Sequence, residues 1–189
     1  MFRNLPNVLT GLRLILVPFV AERLYRRSYG QALLLVLIAG ITDGVDGWLA
    51  RRFQWTSRAG AYLDPVADKA LLVTIYILLG VVHVIPVWLA VLVPGRDVFI
   101  LMMVAAGFLF TPLREFPPSP AGKISTIVQV SAAVGLIANA AMGWRAPQAV
   151  VELLIFATAA ATIWSGLDYA RRGLAALRRL RIDLGNSRR

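Results

Sequence analysis

Four aspartates and one arginine lie close together in a chain that is otherwise strongly apolar. The segment reads DGVDGWLAR from position 43, followed by eight further residues and then GAYLDPVAD from position 60. Long apolar runs flank it on both sides. An ionised side chain inside a bilayer costs at least about 2–3 kcal/mol, so such residues normally face a cavity and act there. We therefore expect this segment to carry the chemistry of the protein.

The spacing of the acidic residues predicts two helical stripes. Residues three and four positions apart share one face of a helix. The first stripe comprises Asp43, Asp46, Gly47, Ala50 and Arg51, and the second comprises Gly60, Asp64 and Asp68. Because the connection between them is short, the stripes can face one another. Four carboxylates would then meet in one pocket at the edge of the membrane.

Carboxylates crowded into a place of low dielectric constant need positive charge among them. Their oxygens are hard ligands that suit Mg²⁺ or Mn²⁺, and such ions bridge phosphate groups. Four carboxylates suit two ions, which can clamp the attacking and leaving oxygens of a phosphoryl-type displacement. The small residues Gly44, Gly47, Ala50 and Gly60 would let a nucleotide or a pyrophosphate approach the backbone. Close helix packing explains the small residues equally well.

Composition places the chain among integral membrane proteins. Of its 189 residues 58% are hydrophobic and only 16% are charged, and the mean hydropathy is +0.69; soluble domains are about a quarter charged. The absence of cysteine excludes disulfides and thiolate metal sites. The net charge of +10 comes largely from arginines near the chain end, which suit contact with anionic membrane lipids. No nucleic-acid partner is expected.

Apolar runs of about 20 residues predict an all-α fold with six transmembrane helices. A short interfacial segment precedes them, and a basic tail over 171–189 follows. The whole chain, 1–189, is expected to form a single membrane-embedded domain. The Lys and Arg count of the connections puts both termini and the acidic pocket on the cytoplasmic side. The membrane is expected to be a bacterial inner membrane. The predicted spans are 8–27, 31–51, 60–80, 84–110, 121–142 and 148–170.

The pattern D-x2-D-G-x2-A-R-x8-G-x3-D-x3-D resembles the signature of the CDP-alcohol phosphatidyltransferase family. The segment PNVLTGLR from position 6 looks like the start of phosphatidylglycerophosphate synthases and CMP-forming cardiolipin synthases. The resemblance implies the six-helix fold of that family, a homodimer, and transfer of a phosphatidyl group from CDP-diacylglycerol to an alcohol with release of CMP.

The resemblance also implies a role for each motif residue. Asp43, Asp46 and Asp64 would ligate the metal ions, and Asp68 would share that duty or act catalytically by taking the proton of the acceptor. The CDP moiety would be bound by the remaining motif residues, Gly47, Ala50, Arg51 and Gly60.

Cations within predicted helices indicate an acceptor that carries phosphate. They are Arg13, Arg96 and Lys123, each in a different helix. The segment GKISTIVQ from position 122 resembles the fifth helix of both synthase types, but many relatives that use glycerol phosphate have a second lysine where this chain has Ser125. Glycerol-3-phosphate and phosphatidylglycerol therefore both remain as acceptors.

A divalent-cation transporter or channel is the alternative from another functional class. It would need acidic or polar residues through the full depth of the membrane. In this chain they crowd near one edge, which favours the transferase.

Overall fold

The structure is a computed structural model that describes residues 5–53, 58–110, 119–143 and 146–186. Side chains are described over 11–45, 67–107, 119–143 and 146–175. The described residues form six α-helices, as predicted: α1 (Leu5–Tyr25), α2 (Tyr29–Phe53), α3 (Arg58–Val81), α4 (Val87–Phe110), α5 (Pro120–Met142) and α6 (Gln148–Asn186).

The helix bounds differ most from the predicted spans at the two ends of the chain. From Leu5 onward, the expected interfacial segment is the first part of α1. The basic tail continues α6, which reaches 39 residues in length. The extension of α6 follows from helix propensity, because Leu, Ala and Arg favour a helix whether or not the segment is apolar enough to cross a membrane. The extension of α1 has Pro6 in its first turn, where proline suits a helix start.

Three helices of the described chain are long and apolar enough to cross a membrane. They are Val87–Gly107 in α4, Pro120–Met142 in α5 and Gln148–Ala175 in α6, and Tyr29–Val45 in α2 is a shorter apolar stretch. Many large apolar side chains lie exposed on the helix surfaces, among them Ile15, Leu34, Val91, Leu101 and Leu153. Such an outer surface suits hydrocarbon, and the chain is a membrane protein.

The helices pack in a ring. α1 contacts α2 and α3, α2 contacts α5, α5 contacts α6, α6 contacts α4, and α4 contacts α3. Within the described part of the chain, α2 and α3 make no direct packing contact, because α1 lies against both. The two halves of the acidic motif are thus separated by the helix that carries Arg13.

The apolar core lies toward the three short connections. It comprises the end of α1 and the start of α2, the end of α3 and the start of α4, and the end of α5 and the start of α6; its largest members are Leu24, Tyr76, Leu79, Leu89, Leu136 and Ile137. Helices joined by short loops run antiparallel and bring these ends together. The opposite halves of the helices are left to form the site.

One close contact joins α3 to α4 within this core. A methyl group added at Gly80 would overlap the Cβ of Ala90, which is itself buried. We expect Gly80→Ala to lower the free energy of unfolding by about 1–3 kcal/mol, as overpacking does in other cores. The unfolding midpoint in detergent measures this, with Gly30→Ala as control because nothing lies within 4 Å of a Cβ there. Equal midpoints for the two variants would contradict the prediction.

Candidate active site

A cavity of about 410 Å³ lies between α1, α2, α3, α4 and α5. Most of its wall is apolar, with side chains such as Val36, Leu72 and Val130. Charged groups gathered against an apolar wall are typical of a site that binds and orients a ligand. Among the described residues, the charged side chains lining it are Arg13, Asp43, Asp68, Lys69, Arg96 and Asp97.

Arg13 connects the two halves of the acidic motif. Its side chain is only 1% exposed, and its two terminal nitrogens bind different carboxylates. Nη2 lies 2.6 Å from Asp43 Oδ1, and Nη1 donates to Asp68 Oδ1 at 2.5 Å. The guanidinium is planar and permanently charged, so it can hold two carboxylates at fixed positions. It supplies positive charge where the acidic stripes would otherwise repel each other.

The two carboxylates remain accessible from the cavity. The side chains of Asp43 and Asp68 are 47% and 49% exposed, whereas Arg13 behind them is buried. A ligand in the cavity can therefore reach the carboxylate oxygens of both residues. The structure thus places one aspartate from each predicted stripe on the wall of the same cavity.

The other motif residues are placed by backbone alone. α2 is helical through Asp46, Gly47, Ala50 and Arg51, and α3 is helical through Gly60 and Asp64, as the spacing requires. Their side chains lie outside the described set. Within that set no three acidic, histidine or cysteine side chains form a metal-binding group. The meeting of all four carboxylates stays a prediction.

A second charged cluster lines the same cavity. Asp97 on α4 is buried, and its Oδ1 is 2.7 Å from Arg96 Nη1 and 3.4 Å from Lys69 Nζ. Two cations share one carboxylate here, so the cluster retains one positive charge. Around Arg13 the described side chains show the reverse ratio, with one cation between two carboxylates. The cavity is therefore polarised, with an acidic cluster around Arg13 and a basic cluster around Asp97.

Helix α6 holds Arg96 in place. The guanidinium donates from Nη2 to Ser165 Oγ, and it lies over the ring of Tyr169 at 5.8 Å from the centroid. A methyl group at Gly122 would come within 3.2 Å of the Tyr169 ring and 3.4 Å of Arg96 Nη2. A larger residue at this position would require the Tyr169 ring to shift by a few tenths of an ångström.

Lys123 and Ser125 have different environments at the start of α5. This helix begins with Ser119 as its N-cap, whose hydroxyl accepts from the Gly122 amide. Lys123 is exposed and does not line the cavity. Ser125 is fully buried, and its hydroxyl accepts from Gln129 Nε2, which also donates to Thr162 of α6. Position 125 therefore contributes to packing between α5 and α6, and a serine there leaves the charge of the cavity unchanged.

Of the three cations predicted to meet the acceptor, Arg13 and Arg96 line the cavity. Arg13 is paired with Asp43 and Asp68, and Arg96 with Asp97. Sequence reasoning did not single out Lys69. The signal was its place directly after Asp68, the last residue of the acidic motif.

Comparison with known proteins identifies the family of the chain. The profile described as CDP-alcohol phosphatidyltransferase matches residues 3–164. A CDP-diacylglycerol–glycerol-3-phosphate 3-phosphatidyltransferase from Escherichia coli (strain K12) is 36% identical over 186 residues, which cover 92% of this chain and 97% of that protein. Proteins of the same name from Shigella flexneri serotype 5b and Shigella sonnei match to the same extent. The chain belongs to the CDP-alcohol phosphatidyltransferase family.

Proposed function

We propose that this protein transfers the phosphatidyl group of CDP-diacylglycerol to glycerol-3-phosphate in phospholipid biosynthesis, releasing CMP. The observation that carries the choice of acceptor is the 36% identity, over 92% of the chain, to proteins named for that reaction. The polarised cavity supports it, because the reaction must bring a metal-dependent centre and an anionic acceptor together.

The carboxylate oxygens of the acidic cluster are suitable ligands for a divalent cation. Asp43 and Asp68 offer hard carboxylate oxygens to the cavity. We propose that Asp43, Asp46, Asp64 and Asp68 hold two ions, either Mg²⁺ or Mn²⁺, and members of this family use divalent metals. When bound, the ions would supply charge stabilisation for the diphosphate and for the leaving group.

The protein's own residues would then bind the donor and move the proton. Gly47, Ala50, Arg51 and Gly60 are assigned to the CDP moiety, with Arg51 as the donor of hydrogen bonds to phosphate oxygens. The acceptor hydroxyl loses its proton to Asp68. The oxygen of the acceptor forms a bond to the β-phosphorus of CDP-diacylglycerol. At the same time the bond between that phosphorus and the bridging oxygen breaks, and CMP leaves with this oxygen.

The basic cluster around Asp97 would bind the phosphate of the acceptor. Arg96 lines the cavity and is oriented by three neighbours, Asp97, Ser165 and Tyr169. Arg13 would act through Asp43 and Asp68, whose carboxylates it binds. Lys123, at the start of α5, stays a candidate for contact with the acceptor, although it does not line the cavity.

Phosphatidylglycerol is the second candidate acceptor. The segment from Gly95 to Val98 resembles the corresponding segment of cardiolipin synthases of this family. It contains the Arg96–Asp97 ion pair of the basic cluster. We further propose a homodimer in the bacterial inner membrane with the cavity open to the cytoplasm, where the water-soluble glycerol-3-phosphate and CMP are found.

An acceptor panel tests the proposed function. Purified protein is incubated with radiolabelled CDP-diacylglycerol, Mg²⁺ and one acceptor at a time, and the lipid products are separated by thin-layer chromatography. We expect CMP release and a phosphatidylglycerophosphate product with glycerol-3-phosphate, and loss of both on adding EDTA. A cardiolipin product with phosphatidylglycerol alone would overturn the choice of acceptor. Mg²⁺ flux into proteoliposomes without CMP release would overturn the reaction class.

A further inference from the structure

We propose that Lys69 is a specificity-determining residue that binds the phosphate group of the acceptor directly. This inference rests on the proposed function and assigns one cation of the basic cluster to the phosphate of the acceptor. Its starting point is the sharing of one carboxylate oxygen, Asp97 Oδ1, by Arg96 and Lys69.

The two cations are held very differently. Arg96 Nη1 lies 2.7 Å from the shared oxygen, and the arginine has further contacts with Ser165 and Tyr169. Lys69 Nζ lies 3.4 Å from it, beyond the usual range of a strong N–H···O bond. Lys69 is therefore the weakly bound member of the cluster.

Lys69 is also the accessible member of the cluster. Its side chain is 52% exposed, whereas those of Arg96 and Asp97 are 9% and 11% exposed. An ammonium has three donors on a flexible stem and binds phosphate as a point charge. An anion in the cavity can take Lys69 without breaking the short Arg96–Asp97 pair. Asp97 thus keeps the ammonium near the cavity until the phosphate arrives.

The position of Lys69 along α3 links this contact to the reaction. It directly follows Asp68, the carboxylate assigned to the metal or to the proton of the acceptor. The two side chains line the same cavity, with Asp68 paired to Arg13 and Lys69 paired to Asp97. A small acceptor with a hydroxyl and a phosphate would be bound at both ends by adjacent residues of one helix.

Steady-state kinetics of Lys69→Met test the inference. The rate of CMP release is measured as the concentration of glycerol-3-phosphate is varied at saturating CDP-diacylglycerol. It is then measured as CDP-diacylglycerol is varied at saturating glycerol-3-phosphate. We expect the KM for glycerol-3-phosphate to rise roughly 10- to 100-fold, the range expected when a charged hydrogen bond is lost. The KM for CDP-diacylglycerol should stay within twofold. Lys69→Arg, which retains the charge, should recover most of the affinity.

The matched control is Arg26→Gln, which also removes a cation from an ion pair. Arg26 pairs with Glu22 near the end of α1 and does not line the cavity. The kinetic constants of the Arg26→Gln variant should therefore equal those of wild type. A raised KM for CDP-diacylglycerol alone in Lys69→Met would assign the residue to the donor and overturn the inference. An unchanged KM for glycerol-3-phosphate would overturn it as well. A wild-type protein that does not use glycerol-3-phosphate would instead overturn the proposed function, and the inference with it.

Discussion

Asp68→Asn is expected to lower CMP release by about 10²- to 10⁴-fold, the range for loss of a positioned acid–base group. Asparagine keeps the shape of the side chain but loses the negative charge that a metal ion or a transferred proton requires. Asp68 also has a structural partner in Arg13, so the variant must first elute as wild type does in size-exclusion chromatography. CMP release at saturating concentrations of both substrates is the measurement.

Asp168→Asn is the matched control for this substitution. Asp168 forms an ion pair with Arg172 one turn further along α6, at 2.9 Å, and it does not line the cavity. The control removes one carboxylate from one arginine without touching the proposed site, and it should turn over as wild type does. More than a third of wild-type activity in Asp68→Asn would contradict a catalytic role for that residue.

The helices could be predicted from the sequence because each apolar run is bounded by turn residues or charges. The predicted span 121–142 matches α5, Pro120–Met142, where Ser119 caps the start and Gly143 takes the left-handed conformation at the end. By the same criterion the predicted membrane span 148–170 ends before α6 does. Hydropathy reports where a helix leaves the apolar layer, whereas Leu, Ala and Arg keep the backbone helical to Asn186.

The partners of the charged residues were harder to predict. Asp43 and Asp68, one from each predicted stripe, line the same cavity, but helical periodicity places a residue only on a face of its own helix. The partners of Arg13 depend on α1 lying against both α2 and α3, which no local pattern encodes. The same holds for Lys69 and Asp97, which are 28 positions apart on different helices. The sequence showed which charges the membrane would not tolerate alone, and the helix order decided their pairing.

Arg13→Gln should destabilise the metal-free protein and make it more dependent on divalent cations. The substitution removes the cation between Asp43 and Asp68 and leaves their negative charges to repel each other. Breaking a fully buried ion pair costs about 3–5 kcal/mol, but both carboxylates here are half exposed, so we expect a loss of about 1–3 kcal/mol. The unfolding midpoint in detergent with EDTA is the measurement.

Mg²⁺ separates this electrostatic effect from a simple loss of packing. A cation that binds the folded state stabilises it in proportion to its affinity, and removing Arg13 raises the attraction of the carboxylates for a dication. The midpoint of Arg13→Gln should therefore rise more on adding Mg²⁺ than that of wild type, while Arg26→Gln should behave as wild type does. An equal Mg²⁺ effect in all three proteins would show that Arg13 and the metal do not act on the same carboxylates. Because the arginine and the ions would then occupy separate places, that result would also remove Asp43 and Asp68 from the metal site.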